Sequence, residues 1–108
     1  MEEHPLVREV YPELVAELAR LLEDEGERFL AILAHDLRIV AECGCGSDTC
    51  QSFHTSGDFP PGTKYGPGHR NVMLDPEEGM LILDVVEERI VYVEVLDRAR
   101  MVRRDVTG

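Results

Sequence analysis

Cys43, Cys45 and Cys50, with His54 four positions beyond the last of them, hold every thiol in the chain and one of its imidazoles. Three thiolates and an imidazole make the four-donor set that zinc or another thiophilic ion takes. The spacing C-x-C-x4-C-x3-H is not the double C-x2-C pattern of zinc fingers and ribbons, so the residue types carry this assignment more than the motif does. If a four-residue turn at 46–49 sets Cys45 opposite Cys50, then Cys43 falls opposite Ser52 and Ala41 opposite His54. All four donors then share one face of a hairpin. A shift of one residue would instead send Phe53 to the core and turn Cys50 and His54 away from Cys43 and Cys45. Three roles stay open for the cysteines: buried thiols continuing an apolar stripe, a metal site, or a redox pair or reversible disulfide.

A second group of polar side chains follows in residues 57–71, where four glycines and three prolines exclude regular structure. Tyr65, His69 and Arg70 are the side chains there most able to contact a partner or ligand, and His69 titrates near neutral pH. Nucleophilic catalysis would need a thiolate, a base and an orienting acid, and His54 or His69 with Asp48 or Asp58 can be written as such a set. Nothing in the spacing demands it, and a strand cysteine on an apolar face has a raised pKa that makes it inert. The turn Gly66-Pro67-Gly68-His69 lacks the Gly-Lys-Ser/Thr ending of a phosphate loop. The residues therefore lean away from an enzyme and name no catalytic group.

The elements that must position these groups follow from periodicity. Pro5 and Pro12 each suit a first helical turn, giving a short turn at about 5–10 and a main helix at about 12–25. Leu14, Leu18, Leu21 and Leu22 form its buried stripe, and Gly26 stops it. Phe29, Leu30, Ile32 and Leu33 mark a second, short helix ending near His35 and Asp36. From Leu37 the period changes to two: Leu37, Ile39, Ala41, Cys43 and Cys45 fall on one face and Arg38, Val40 and Glu42 on the other, a half-buried strand. Residues 50–55 return as its partner. Strands at 71–75, 80–86 and 90–96 follow, the last two apolar enough to lie centrally in a sheet. The tail from Asp97 forms one helical turn and then frays.

At 108 residues the chain is long enough for one core and too short for two, with a helical part at 1–36, a sheet part at 37–97 and a short basic tail at 98–108. The expected fold is α+β in two layers: N-terminal helices packed on a mainly antiparallel sheet of about five strands. Twenty-two acids against eleven bases give a net charge of −11. Such a charge repels nucleic acid and anionic membrane surfaces. Residues 1–28 carry nine of the acids and three arginines, so a cationic protein partner would meet the helical face first. No run approaches the ~20 apolar residues of a membrane helix, and Met1-Glu2-Glu3-His4 lacks the basic and apolar regions of a secretion signal. An odd number of cysteines suits a reducing, cytoplasmic compartment. Nothing in the sequence sets the oligomeric state, and a homodimer is compatible with it.

The segment Cys43-Gly44-Cys45-Gly46 with Cys50 and Phe53-His54-Thr55, the loop Tyr65-Gly66-Pro67-Gly68-His69-Arg70-Asn71, and the strand Gly79-Met80-Leu81-Ile82-Leu83-Asp84 together resemble a family of small uncharacterised bacterial proteins. Their pattern is C-x-C-G…C…F-x-T followed by G-M-L-I-L-D, and the resemblance covers about residues 37–100. The final hairpin, with Ile82-Leu83-Asp84, Arg89-Ile90-Val91 and Glu94-Val95-Leu96-Asp97, is also similar to the hairpin of widespread small domains of unknown function, and Glu87-Glu88 departs from it, standing where such hairpins turn on Asp-Gly. The family carries no assigned activity, so the resemblance transfers no functional residue. The reading that charge, size and missing catalytic signature favour is a small acidic non-enzymatic binding protein, antitoxin- or immunity-like, holding a cationic partner. The alternative is a zinc-binding or thiol-redox domain built on the cysteine hairpin.

Overall fold

A computed structural model describes residues 4–42, 50–57 and 66–104. Its helices are α1 (Val7–Val10), α2 (Pro12–Asp24) and α3 (Arg28–Leu33), the last running into a 3-10 turn at Ala34–Asp36. Pro12 opens α2 in the one helical turn where a missing N–H costs nothing. The helix ends in a Schellman motif: Gly26 sits at φ +80°, its N–H reaches Glu23 O, and Glu27 N–H reaches Leu22 O at 2.8 Å. The leucine stripe read from the sequence is the buried one, with Leu14, Leu18, Leu21 and Leu22 all in the core.

Five strands form one antiparallel sheet: β1 (Ala41–Glu42), β2 (Phe53–His54), β3 (His69–Met73), β4 (Met80–Val86) and β5 (Arg89–Leu96), in the spatial order β1-β2-β5-β4-β3. The architecture is the expected α+β arrangement, with β4 and β5 inside the sheet. Leu81, Leu83, Val85, Val93 and Val95 point to one face and meet Val10, Leu14, Leu18, Leu22 and Leu30 from the helices. Full burial of each such side chain is worth about 1.5–3 kcal/mol, which is what fixes the helices on this face. A β-bulge at Asp84/Val85 leaves both Ile90 and Val91 buried before alternation resumes at Tyr92.

Three expectations are corrected. Among the described residues, the strand expected to start at Leu37 meets β2 only from Val40, whose N–H bonds His54 O at 2.8 Å, through Ala41 and Glu42, because residues 37–39 bond the N-terminal segment instead: Val7 N–H to Leu37 O at 2.8 Å and Ile39 N–H to Pro5 O at 2.9 Å. Ile39 is thereby buried while Ala41 is exposed, so the apolar stripe does not run on into β1. Second, β3 starts at His69, two residues earlier than expected, inside the stretch read as irregular; the Gly68 carbonyl, bonded by Glu87 N–H, closes the loop and hands the chain to the sheet. Third, the described part of the tail neither forms a helical turn nor frays. It leaves β5 through Asp97 and runs along α2, with Arg98 on Glu17 at 2.8 Å, Arg104 on Glu13 at 2.7 Å, and Arg104 N–H on Val10 O. No helix among the described residues is long and apolar enough to cross a membrane.

Candidate functional site

Strand alternation that sends the aliphatic residues to the helices sends a different set to the opposite face. The register lines up one row across that outer face: Ala41, His54, Tyr92, Asp84 and Asn71, on five successive strands. Glu94 stands two residues from Tyr92 on β5, and His69 two residues from Asn71 on β3. Met73 and Met80 extend the face with exposures of 66% and 40%. Ahead of β2, Cys50 bridges to Leu96, its thiol donates to Ser52 Oγ at 3.3 Å, and Ser52 Oγ accepts the Val95 N–H.

The electrostatics centre on Asp84. Its Oδ1 accepts from the Asn71 side-chain amide and lies 3.2 Å from His69 Nε2. Glu94, half-buried nearby, has its pKa raised first by burial and then by the charge on Asp84. No arginine among the described residues pairs with either carboxylate. His54 is only 9% exposed although it stands on the outer face, and its ring lies 4.4 Å from that of Tyr92. Burial lowers its pKa, against the pull of Asp84, so the ring is neutral near pH 7. Its Nδ1 is buried without a hydrogen-bond partner. Such an orphan costs about 1–3 kcal/mol, and the price is unusual for a side chain that is not in the core.

Cys50 and His54 thus share the outer face, and the Ala41–His54 pair is the one the four-donor register requires. Cys43, Cys45 and Tyr65 lie outside the described residues. His69 joins Asp84 on the outer face. Arg70, its neighbour, points the other way and is held by Glu27 and Glu88. Among the described residues no group of three His, Cys, Asp or Glu is placed to hold a metal ion. Sequence reasoning passed over Tyr92, Asp84 and Glu94. Their signal was the polar residues set into the two most apolar strands, Asp84 alone within 80–86 and Tyr92 and Glu94 alternating with Val93 and Val95, which is the mark of a face that is not core. Two clefts lie apart from this face: about 400 Å³ between the 3-10 turn and the start of β5, lined by Leu37, Arg38, Thr55 and Arg89, and about 190 Å³ between α2 and the tail. Comparison with family models, with curated proteins and with solved structures gives no match.

Proposed function

We propose that the protein is a small acidic, non-enzymatic binding protein, antitoxin- or immunity-like, which holds a cationic protein partner against the outer face of its sheet. The observation that carries this reading is the pair Asp84 and Glu94, two carboxylates set among Tyr92, Met73 and Met80 with no arginine of the described chain to neutralise them. Six arginines are spent internally: Arg8, Arg20, Arg70, Arg98, Arg103 and Arg104 each pair with a carboxylate of the same chain. The helical face, where the charge distribution first pointed, has Glu13 and Glu17 already matched by Arg104 and Arg98. The sheet face is the better counterpart for an incoming cation. Complementary charge there speeds encounter and fixes register, while the methionines and Tyr92 supply adaptable apolar contact. A reducing cytoplasmic setting suits the reading, as does the odd number of cysteines.

The test is retention of a basic protein from native lysate at low ionic strength by the full chain, identified by mass spectrometry and released as salt rises. An Asp84→Asn/Glu94→Gln variant should lose it. Equal retention by that variant, or recovery of free protein alone, overturns the reading.

A second reading, a zinc or thiol-redox centre, is favoured by one observation: Cys50 and the orphaned His54 Nδ1 lie on the same face. About one zinc per chain in protein purified without chelator, lost in Cys50→Ser, would support it over the first.

A further inference from the structure

We propose that the open edge of β3 is a docking surface for a second copy of this chain, the two β3 strands pairing antiparallel so that the two sheets join. The inference goes beyond the binding reading above and does not rest on it. It starts from the direction of the backbone groups. β3 ends the order β1-β2-β5-β4-β3, and its register with β4 runs without a shift from His69↔Val86 to Met73↔Ile82. Leu74 N–H bonds Leu81 O at 2.9 Å, and Gly68 O accepts the Glu87 N–H. Bonded pairs in an antiparallel ladder fall at every second residue, so Arg70 and Val72 are also turned toward β4. The N–H and C=O groups of Asn71 and Met73 therefore point away from the sheet, and among the described residues no strand takes them. Native sheets blunt such an edge with lysine, proline, a bulge or a very short strand. Residues 69–75 contain no lysine and no proline, and β3 runs five residues without a bulge.

Three observations select a second copy as the occupant. The first is charge. The chain carries −11, yet residues 69–75 hold one acid, Asp75, against His69 and Arg70, so two copies can meet along this strand without setting acid on acid. The second is self-complementarity. With the two-fold axis at Val72, Asn71 falls opposite Met73 of the second copy, a pair that exchanges both outward N–H···O bonds and that symmetry makes twice. The same register sets Asp75 opposite His69 of the second copy. The third is apolar surface. Met73 is 66% exposed, and in this register it is the diagonal neighbour of its own counterpart, so the two thioethers cover one another on the outer face. A basic strand from another protein would find one acid here and two basic side chains.

Sedimentation equilibrium of the full chain, from micromolar to millimolar concentration, should show a monomer–dimer equilibrium that strengthens as salt rises, because screening relieves the repulsion between two acidic copies. Amide exchange locates the contact. The N–H groups of Asn71 and Met73 should exchange more slowly as chain concentration rises, while that of Leu74, bonded to β4, is slow throughout. Met73→Pro removes one outward N–H from each copy, two hydrogen bonds in the dimer, and should weaken association by about tenfold or more. Met73→Lys, at an exposed side chain that the monomer does not need, should weaken it severalfold and serves if the proline variant folds poorly. A chain that stays monomeric at every concentration, a dimer in which Asn71 and Met73 exchange at the monomer rate, or a dimer of unchanged strength in Met73→Lys overturns the inference. The two readings fail separately, since a basic partner is released by the salt that tightens this dimer. Monomer throughout, with a basic protein retained from lysate, sinks the dimer alone; a dimer with no basic protein retained sinks the partner reading alone.

Discussion

Arg70 donates from Nη1 to Glu27 Oε2 at 2.8 Å and from Nη2 to Glu27 Oε1 at 3.0 Å, a two-pronged clasp between β3 and the link from α2 to α3. The same guanidinium reaches Glu88 at the β4–β5 turn through Nε and Nη2, at 3.2 and 3.1 Å. One side chain therefore ties the helical layer to two parts of the sheet. The clasp lowers the Glu27 pKa and raises that of Arg70, each chiefly through their mutual hydrogen bonds. Because both partners are partly exposed, Arg70→Ala should cost only about 1 kcal/mol. Arg70→Lys should recover little of that, since an ammonium cannot make both forks. Urea midpoints of the three proteins check this. A loss in Arg70→Ala too small to measure would show the clasp to be ornamental.

The turn between β4 and β5 places Glu87 at φ 51° and Glu88 at φ 64°, the left-handed pair of a tight hairpin in which Asn-Gly is the favoured sequence. Glu88 has a reason to be there, since its carboxylate holds Arg70. Among the described residues, Glu87 makes no side-chain bond. Glu87→Asn should therefore raise stability by about 0.5–1 kcal/mol, because asparagine tolerates this region at lower cost. A fall in the thermal midpoint would mean that Glu87 contributes something its backbone conformation hides.

Much of the scaffold was legible because periodicity and punctuation are local. Pro12 and Gly26 bracket α2, and the apolar runs at 80–86 and 90–96 declare inner strands. What sequence could not give were matters of partner choice. Leu37 and Ile39 read as one strand with Ala41, yet their backbone groups are taken by Val7 and Pro5, far earlier in the chain. Arg98 and Arg104 read as a loose basic tail, yet α2 offers Glu17 and Glu13 at the right pitch to hold them. The outer face was half legible. His54 and His69 stood out by residue type, but their meeting with Tyr92, Asp84 and Glu94 depends on the order β2-β5-β4-β3, which no local pattern encodes.

Gly79, at φ +73° in the turn before β4, has no room for a side chain: a Cβ there would run into Leu96 O and come within 2.8 Å of Asp97 O. Both obstacles are backbone at the point where the tail leaves β5, so neither can swing aside. Gly79→Ala should cost at least about 2 kcal/mol, from left-handed strain together with the clash. It should also loosen residues 98–104 from α2, seen as faster amide exchange at Arg104, whose N–H otherwise bonds Val10 O. Unchanged exchange there would uncouple the turn from the tail.

The acid side of the stability profile should be governed by groups of opposite sign on the outer face. His54 has a folded pKa lowered below 6.5 by burial, so as pH falls the unfolded chain takes up the proton first. Its contribution to stability is present above pH 6.5 and is lost as pH falls from there toward the folded value. Glu94 works the other way. Its folded pKa is raised above 4.5 by burial and by Asp84, so the folded chain binds a proton first, and its carboxyl disfavours the fold most when pH is above that raised value. Glu27, lowered by Arg70, loses its contribution only as pH falls through the region below 4.5. Urea midpoints measured from neutral pH downward should thus fall below pH 6.5 in the unmodified protein. The fall should become shallower in His54→Phe, which keeps the aromatic contact with Tyr92 and removes the titrating group. It should become steeper in Glu94→Gln, which removes the compensating uptake. If both variants shift the profile in the same direction, burial of His54 and the Asp84–Glu94 repulsion are not what set the acid response of this fold.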